Sequence, residues 1–243
     1  MISILPVEGL PEIRAGDDVG ALVARAARLE DGDVVVVAHK VVSKAEGRVV
    51  RLDDVDAGDR ARVLAAAGER DAREVEVVLR ETVRVVRERP PLVIAETEHG
   101  FVCASAGVDH SNAPEAGTVV LLPRDPDASA RRIRDAIRAH AGRDVAVIVA
   151  DSFGRPFRRG TTDVAVGVAG LAPLRDLRGT TDRAGAELRS TEVAVADELA
   201  AAADLVRAGK ADGIPVVIVR GAPAGGDGTA RELVMPPERD LFR

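Results

Sequence analysis

The stretch VAVIVADSFGRPFRRGTTDVAVGVAG, residues 145–170, decides the class of fold. Its first six residues, Val145 to Ala150, are wholly apolar, as a strand covered on both faces must be. That strand delivers Asp151 and Ser152 at its C-terminal end, where α/β sheets place their ligands, and a Gly-Arg-Pro loop carrying Arg155, Arg158 and Arg159 follows at once. A carboxylate and a hydroxyl together can hold Mg²⁺ or Mn²⁺, and arginines can meet phosphate or carboxylate oxygens. The bland alternative has Asp151 capping a turn and the arginines solvated.

Working outward, β-branched runs at Val34 to Ala38, Leu92 to Ala95, Phe101 to Ser105, Thr118 to Leu122 and Pro215 to Val219 read as further strands. Helices are expected from the caps at Asp17 or Asp18 through Leu29, and at Arg60 to Ala67, Asp71 to Arg89, Ser129 to Ala141 and Glu192 to Ala208. The strands cluster between residues 92 and 122, where hairpins fit better than crossovers, so the expectation is a mixed α/β (α+β) chain with mixed sheets. A doubly wound Rossmann sheet or a P-loop is not expected: neither G-x-x-x-x-G-K-[ST] nor a strand-borne G-x-G-x-x-G is present. Residues 1–243 are read as one domain with room for two subdomains, Ala222 to Thr229 forming a loop before the tail.

Composition narrows the function classes. A formal charge of −6 and only four aromatic residues, all Phe, supply neither the basic footprint nor the stacking platform of a nucleic-acid binder. A single cysteine, Cys103, excludes an intrachain disulfide, and no apolar run approaches the roughly 20 residues that span a bilayer. The protein is therefore expected to be cytoplasmic, with no membrane and no nucleic-acid partner. Arginine is the default cation; the only lysines are Lys40, Lys44 and Lys210, and the only asparagine is Asn112.

Two of those lysines fall in AHKVVSKAEGR, residues 38–48, where an apolar strand ends. Two ammonium groups four residues apart can neutralise one polyanion such as a triphosphate, or can simply be solvated. In HGFVCASAGVDHSNAP, residues 99–114, Asp109 stands at a strand end with the Asn112 carboxamide three positions on, which suits a hard cation beside a nucleotide or a capped turn before Pro114. Cys103, inside that apolar strand, reads as a small buried hydrophobe. Taken together, Asp109, Asp151, lysines and arginines are the parts of metal-assisted phosphoryl transfer, in which positioning and charge neutralisation supply most of the effect.

These blocks in this order resemble the coenzyme F420-0:L-glutamate ligases, the γ-glutamyl ligases that build the tail of the deazaflavin coenzyme F420. The resemblance runs from GLPEI (Gly9 to Ile13) through HKVVSKAEGR, CASAGVDHSNAP and DSFGRPFRRGTTDVAVGVAG to TEVAVADELAAAADLV (Thr191 to Val206) and IPVVIVRG (Ile214 to Gly221). It implies a mixed α/β fold particular to that family and a GTP site lined by Leu10, Pro11, Glu12, Ile13, His39, Lys40, Lys44 and Asn112, with Gly209 and Lys210 on a further nucleotide-contacting loop. By the same resemblance Asp109, Asp151 and Ser152 are the divalent-metal ligands, for Mg²⁺ or Mn²⁺ with K⁺ as an additional cation, and Asp109, Asp151 and Lys44 carry the catalysis. Arg155 and Arg158 are assigned to the anionic precursor or the incoming glutamate. His39 stands where a small hydroxyl is usual, Phe153 and Phe157 where tryptophans are usual, and Lys210 where glutamine is usual.

The implied reaction is GTP-dependent: the terminal carboxylate of F420-0 is phosphorylated, and the amine of L-glutamate attacks the acyl phosphate. The implied assembly is a homodimer. Some relatives are fused to a C-terminal flavin-binding domain; if residues 1–243 are the whole protein, no such domain is expected and the expectation is a tail of one or a few glutamates. The residues also allow two alternatives, a paralogue ligating an amino acid to a different carboxylate and a catalytically silent nucleotide- and metal-binding protein.

Overall fold

Four consecutive valines, Val34–Val37, have no solvent exposure, as a strand has when helices cover both its faces. In the computed structural model, which describes residues 1–207, 213–223 and 225–242, they form β2 (Val34–Ala38), the middle strand of the central sheet. On one side of β2 lie β12 (Val216–Arg220) and then β1 (Ser3–Pro6); on the other lie β8 (Ala146–Gly154) and then β9 (Thr161–Ala169). The β2–β8 pair is parallel and the other three junctions are antiparallel. The chain is thus mixed α and β with mixed sheets, as the sequence implied.

The two faces of the sheet follow from the period of two along each strand. Val35, Val37, Val147 and Val149 pack on α1 (Val19–Ala26) and α5 (Pro126–Ala141) through Val23, Ile133 and Ile137. Val34, Val36, Ile148 and Ala150 pack on α6 (Val195–Arg207), whose small Ala196, Ala200 and Ala203 let the helix lie close to the sheet. Each fully buried valine or isoleucine contributes about 1.5–3 kcal/mol, so the three residues Val147–Val149 are a large part of what fixes β8 in place.

Local sequence sets the ends of these helices. The Asp18 carboxylate accepts from Ala21 N at 2.9 Å to start α1, and Asp125 accepts from Ala128 N at 2.9 Å, with Pro126 at the first position, to start α5. Gly142, at φ 64°, closes α5 in the left-handed conformation that glycine adopts without strain.

Between the parallel partners β2 and β8 the chain builds a second, smaller layer. After α2 (His39–Ala45) come β3 (Val49–Arg51), α3 (Asp59–Ala66), α4 (Ala72–Arg80), β4 (Arg84–Arg89), β5 (Leu92–Glu96), β6 (Val102–Ala104) and β7 (Thr118–Val120). The strands form antiparallel sheets, β4-β5-β6 and β3-β7, and bury their own apolar cluster around Leu64, Val75, Val78, Val93 and Leu121. After β9, β10 (Arg175–Asp176) and β11 (Glu192–Val193) make a two-residue ladder before α6.

Three expectations change. The helix expected over Asp71 to Arg89 stops at Arg80, and its last six residues are β4, because Val85 and Arg87 pair with Ala95 and Ile94 of β5, partners that a helix would not give them. Lys40 and Lys44 sit on α2, one turn apart on one face, and not on an extended strand end. The strand expected over Val145 to Ala150 runs on to Gly154 and, after the arginine-bearing loop, returns as β9, for which no strand was expected; a register shift falls between Val149 and Ala150, where Val166 is the extra residue. Among the described residues no helix is long and apolar enough to cross a membrane.

Candidate active site

At the C-terminal ends of β2 and β8 the sheet opens into a cleft of about 800 Å³. Besides the sheet, its walls include the N-terminal segment at Leu10, Pro11, Glu12 and Ile13, the start of α2, the 109–114 segment of the inserted layer, the end of α6 and residues 213–215. Of the residues picked out by sequence, His39, Lys40, Lys44, Asp109, Asn112, Asp151 and Ser152 also line it. Arg155 and Arg158 do not; they are exposed at the tip of the β8–β9 hairpin, where Arg155 Nη2 donates to the Arg159 carbonyl at 2.7 Å. Gly209 and Lys210 lie outside the described residues.

Lys40 joins the two layers. Its Nζ lies 2.6 Å from Asp109 Oδ2 and 2.6 Å from Ser111 Oγ. Asp109 is itself held by a backbone bridge to Val120 of β7, and its Oδ1 accepts from Ser111 N at 2.7 Å. Burial pushes the Asp109 carboxyl up, but the Lys40 ammonium and the Ser111 amide outweigh it and hold the group well below the usual carboxylate range. Lys44, one turn further along α2, donates to Glu12 Oε1 at 2.5 Å and so ties the helix to the N-terminal segment. Beneath that contact, buried Ile13 anchors the segment in the main core, and Leu10 packs against it.

Asp151 and Ser152 leave β8 on opposite faces. Asp151 points to the α2 side, where His39 Nε2 lies 3.2 Å from its Oδ1 without the alignment of a hydrogen bond; both ring nitrogens of buried His39 lack a hydrogen-bond partner among the described residues. Ser152 points to the α6 side and donates its hydroxyl to Asp163 Oδ1 at 2.6 Å. Asp163 Oδ2 in turn accepts from Arg207 Nη1 at 2.7 Å. Burial pushes the Asp163 carboxyl up, against the pull of Arg207 and Ser152.

The family model described as F420-0:Gamma-glutamyl ligase matches residues 9–221. Over 250 residues, all of this chain and 99% of the relative, 45% of positions are identical to the coenzyme F420:L-glutamate ligase of Methanothermobacter thermautotrophicus. The protein of that name from Methanopyrus kandleri is 46% identical over 247 residues, covering all of this chain and 98% of the relative. That from Archaeoglobus fulgidus is 42% identical over 242 residues, covering all of this chain and 96% of the relative. The chain belongs to the F420-0:gamma-glutamyl ligase family.

In this family member the cleft offers hard oxygen donors, the Asp109 and Asp151 carboxylates and the Ser152 hydroxyl, which are the ligand types of Mg²⁺ and Mn²⁺. No group of three or more His, Cys, Asp and Glu side chains converges as a metal cage among the described residues. A cation held in the cleft would complete its shell from the anions it accompanies, as Mg²⁺ does beside phosphates. Asp163, Asp204 and Arg207 also line the cleft and were not picked out by sequence. The signal for Asp163 was a lone acid inside the apolar alternation TTDVAVGVA; α6 hid Asp204 and Arg207, since a charge on a helix normally means a solvated face.

Proposed function

We propose that this chain is a GTP-dependent ligase that adds L-glutamate to the deazaflavin precursor F420-0 through an acyl phosphate. The observation that carries the proposal is the convergence, in one cleft, of two lysines, two carboxylates and a hydroxyl drawn from three separate parts of a chain that belongs to this family. The family description supplies F420-0, and the relatives' shared name supplies L-glutamate.

A carboxylate resists attack by an amine because it is anionic and would have to expel oxide. One of its oxygens must first take the terminal phosphoryl group of GTP. The amine nitrogen then bonds to the acyl carbon, the bond from that carbon to the phosphate oxygen breaks, phosphate leaves, and the amine proton passes to solvent. In the cleft, Lys40 and Lys44 are placed on one face of α2 to neutralise the phosphate chain, at an interaction strength set by the partly dry surroundings. To do so Lys44 exchanges Glu12, which is largely exposed, for a phosphate oxygen. Asp109 and Asp151 on the α2 side, and Ser152 on the α6 side, would supply ligands for divalent cations, which neutralise charge at the transferring phosphoryl group. The 10–13 segment and Asn112, whose backbone is left-handed at φ 54°, are assigned to the nucleotide. Arg155 and Arg158, at the hairpin tip, are not drawn into this assignment. The homodimer belongs to the same proposal and is checked by sedimentation.

The test is incubation with GTP, L-glutamate, Mn²⁺ and F420-0, reading product mass. A gain of one or two glutamyl units together with GDP release supports the ligase. GTP binding with no product under the same conditions favours a silent binding protein. Within a working assay, Asp151→Asn is expected to lower turnover by about 100-fold or more, the loss of one charge at a phosphoryl-transfer site; near wild-type turnover removes Asp151 from the metal-holding role.

A further inference from the structure

Arg207 closes the last turn of α6 and lines the floor of the cleft beside Ser152 and Asp163. Its side chain is only 12% exposed. One nitrogen, Nη1, is used by Asp163. The other two donor atoms, Nε and Nη2, are buried and have no hydrogen-bond partner among the described residues. A buried donor without a partner is costly, and a charged one more so, so such an edge is kept where something else completes it.

Nε and Nη2 share one side of the planar guanidinium, the side that presents two parallel N–H bonds to two oxygens of one carboxylate or phosphate. Asp163 stops the group from turning away, because rotation would break the 2.7 Å bond to Nη1. Asp163 also accepts the hydrogen bond of the Ser152 hydroxyl at its other oxygen, which leaves the lone pairs of Ser152 Oγ for the cleft. A mere ion pair with Asp163 would need one nitrogen, and a lysine would serve.

We propose that Arg207 is a substrate-anion receptor, gripping two oxygens of a single oxyanion with its Nε–Nη2 edge while Asp163 fixes its orientation. The anion is the terminal phosphate of the nucleotide or a carboxylate of glutamate or of the acceptor; both offer the same pair of oxygens. The inference rests on the ligase assignment, which supplies those anions. Asp204, three residues earlier on α6 and also on the cleft wall, adds negative charge near Asp163.

Arg207→Lys keeps a cation for Asp163 and removes the fork. Its circular dichroism is expected to match wild type, with binding of one anion weakened by about 10–100-fold, the loss of a bidentate charge-assisted pair. Calorimetric titration with GTP alone reads the phosphate source. The KM values for L-glutamate and F420-0, with kcat changed by less than about threefold, read the carboxylate source. If Arg207→Lys does not fold, Asp163→Asn with Arg207→Met removes both charges at once and leaves the Ser152 acceptor in place, and the same weakening is expected. GTP affinity and both KM values within twofold of wild type in the folded variant overturn the inference. If wild-type protein makes product and the variant's constants are unchanged, the inference alone fails; if wild-type protein neither binds GTP nor makes product, the ligase assignment fails and takes the inference with it.

Discussion

Asp127 gives the sharpest test of how the fold holds the site. This carboxylate is 7% exposed in the first turn of α5, and its Oδ1 accepts from two backbone amides, Val168 N at 2.7 Å and Ala230 N at 2.9 Å. Val168 belongs to β9, the partner of the strand that carries Asp151 and Ser152, so one side chain fastens α5, the hairpin and the C-terminal segment together. Asp127→Ala leaves both amides buried without an acceptor. At about 1.5–3 kcal/mol for each hydrogen bond to a charged group, two give roughly 3–6 kcal/mol; water entering the vacated space recovers part, so we expect about 3–5 kcal/mol. At about 2–4 °C per kcal/mol for a chain of this size, the melting temperature falls by roughly 6–20 °C. Asp127→Asn keeps an acceptor oxygen and loses only the charge, and about half the effect is expected. The assay is urea unfolding followed by far-ultraviolet circular dichroism, since the chain has no Trp or Tyr to report by fluorescence. A cost below about 1 kcal/mol for Asp127→Ala, or equal costs for the two variants, would refute the reasoning.

Gly167→Ala is expected to destabilise by about 1–3 kcal/mol, because its new Cβ would stand 2.3 Å from the Pro126 carbonyl oxygen, while Gly154→Ala, with nothing within 4 Å, is expected to change the melting temperature little. Lys44→Ala should weaken GTP binding by about tenfold in a calorimetric titration, the loss of one charged contact; unchanged affinity removes Lys44 from the nucleotide site. Burial and the nearby Asp151 charge push the Cys103 thiol up to about 12, so alkylation of the native protein should stay slow through pH 9. The unfolded thiol ionises near its ordinary value of about 8.5 and the folded one does not, so stability is full below that pH and falls above it by up to about 1.4 kcal/mol per pH unit; Cys103→Ala should abolish the fall, and an unchanged slope would discard this account.

Sequence was most informative where burial dictates residue type. Val34–Val37 and Val145–Ala150 could only be strands covered on both sides, and their pairing placed Asp151 at the mouth of the cleft. It was least informative where a tertiary partner overrides local preference. Arg84–Arg89 continues a helical pattern and becomes a strand only because β5 is beside it. Lys40 and Lys44 follow a strand so directly that nothing local announces α2, whose N-cap residue, Ala38, makes no side-chain hydrogen bond. The cleft itself was legible as a set of rare residues, two of the three lysines and the lone asparagine, because an arginine-rich chain makes lysine stand out. Arg207 was lost in that same background, one arginine among many.

The order of the central sheet bears on how the protein is made. β1 and β12 pair Ser3 with Arg220, and β12 also stands between β1 and β2. The first strand off the ribosome therefore has no neighbour until nearly the whole chain has been synthesised, whereas the inserted layer can close its own cluster from residues already exposed. Closing such distant contacts is slow, and contact order of this kind predicts folding in milliseconds to seconds or longer, with the Lys40 side of the cleft assembled around the inserted layer before the sheet beneath it is complete.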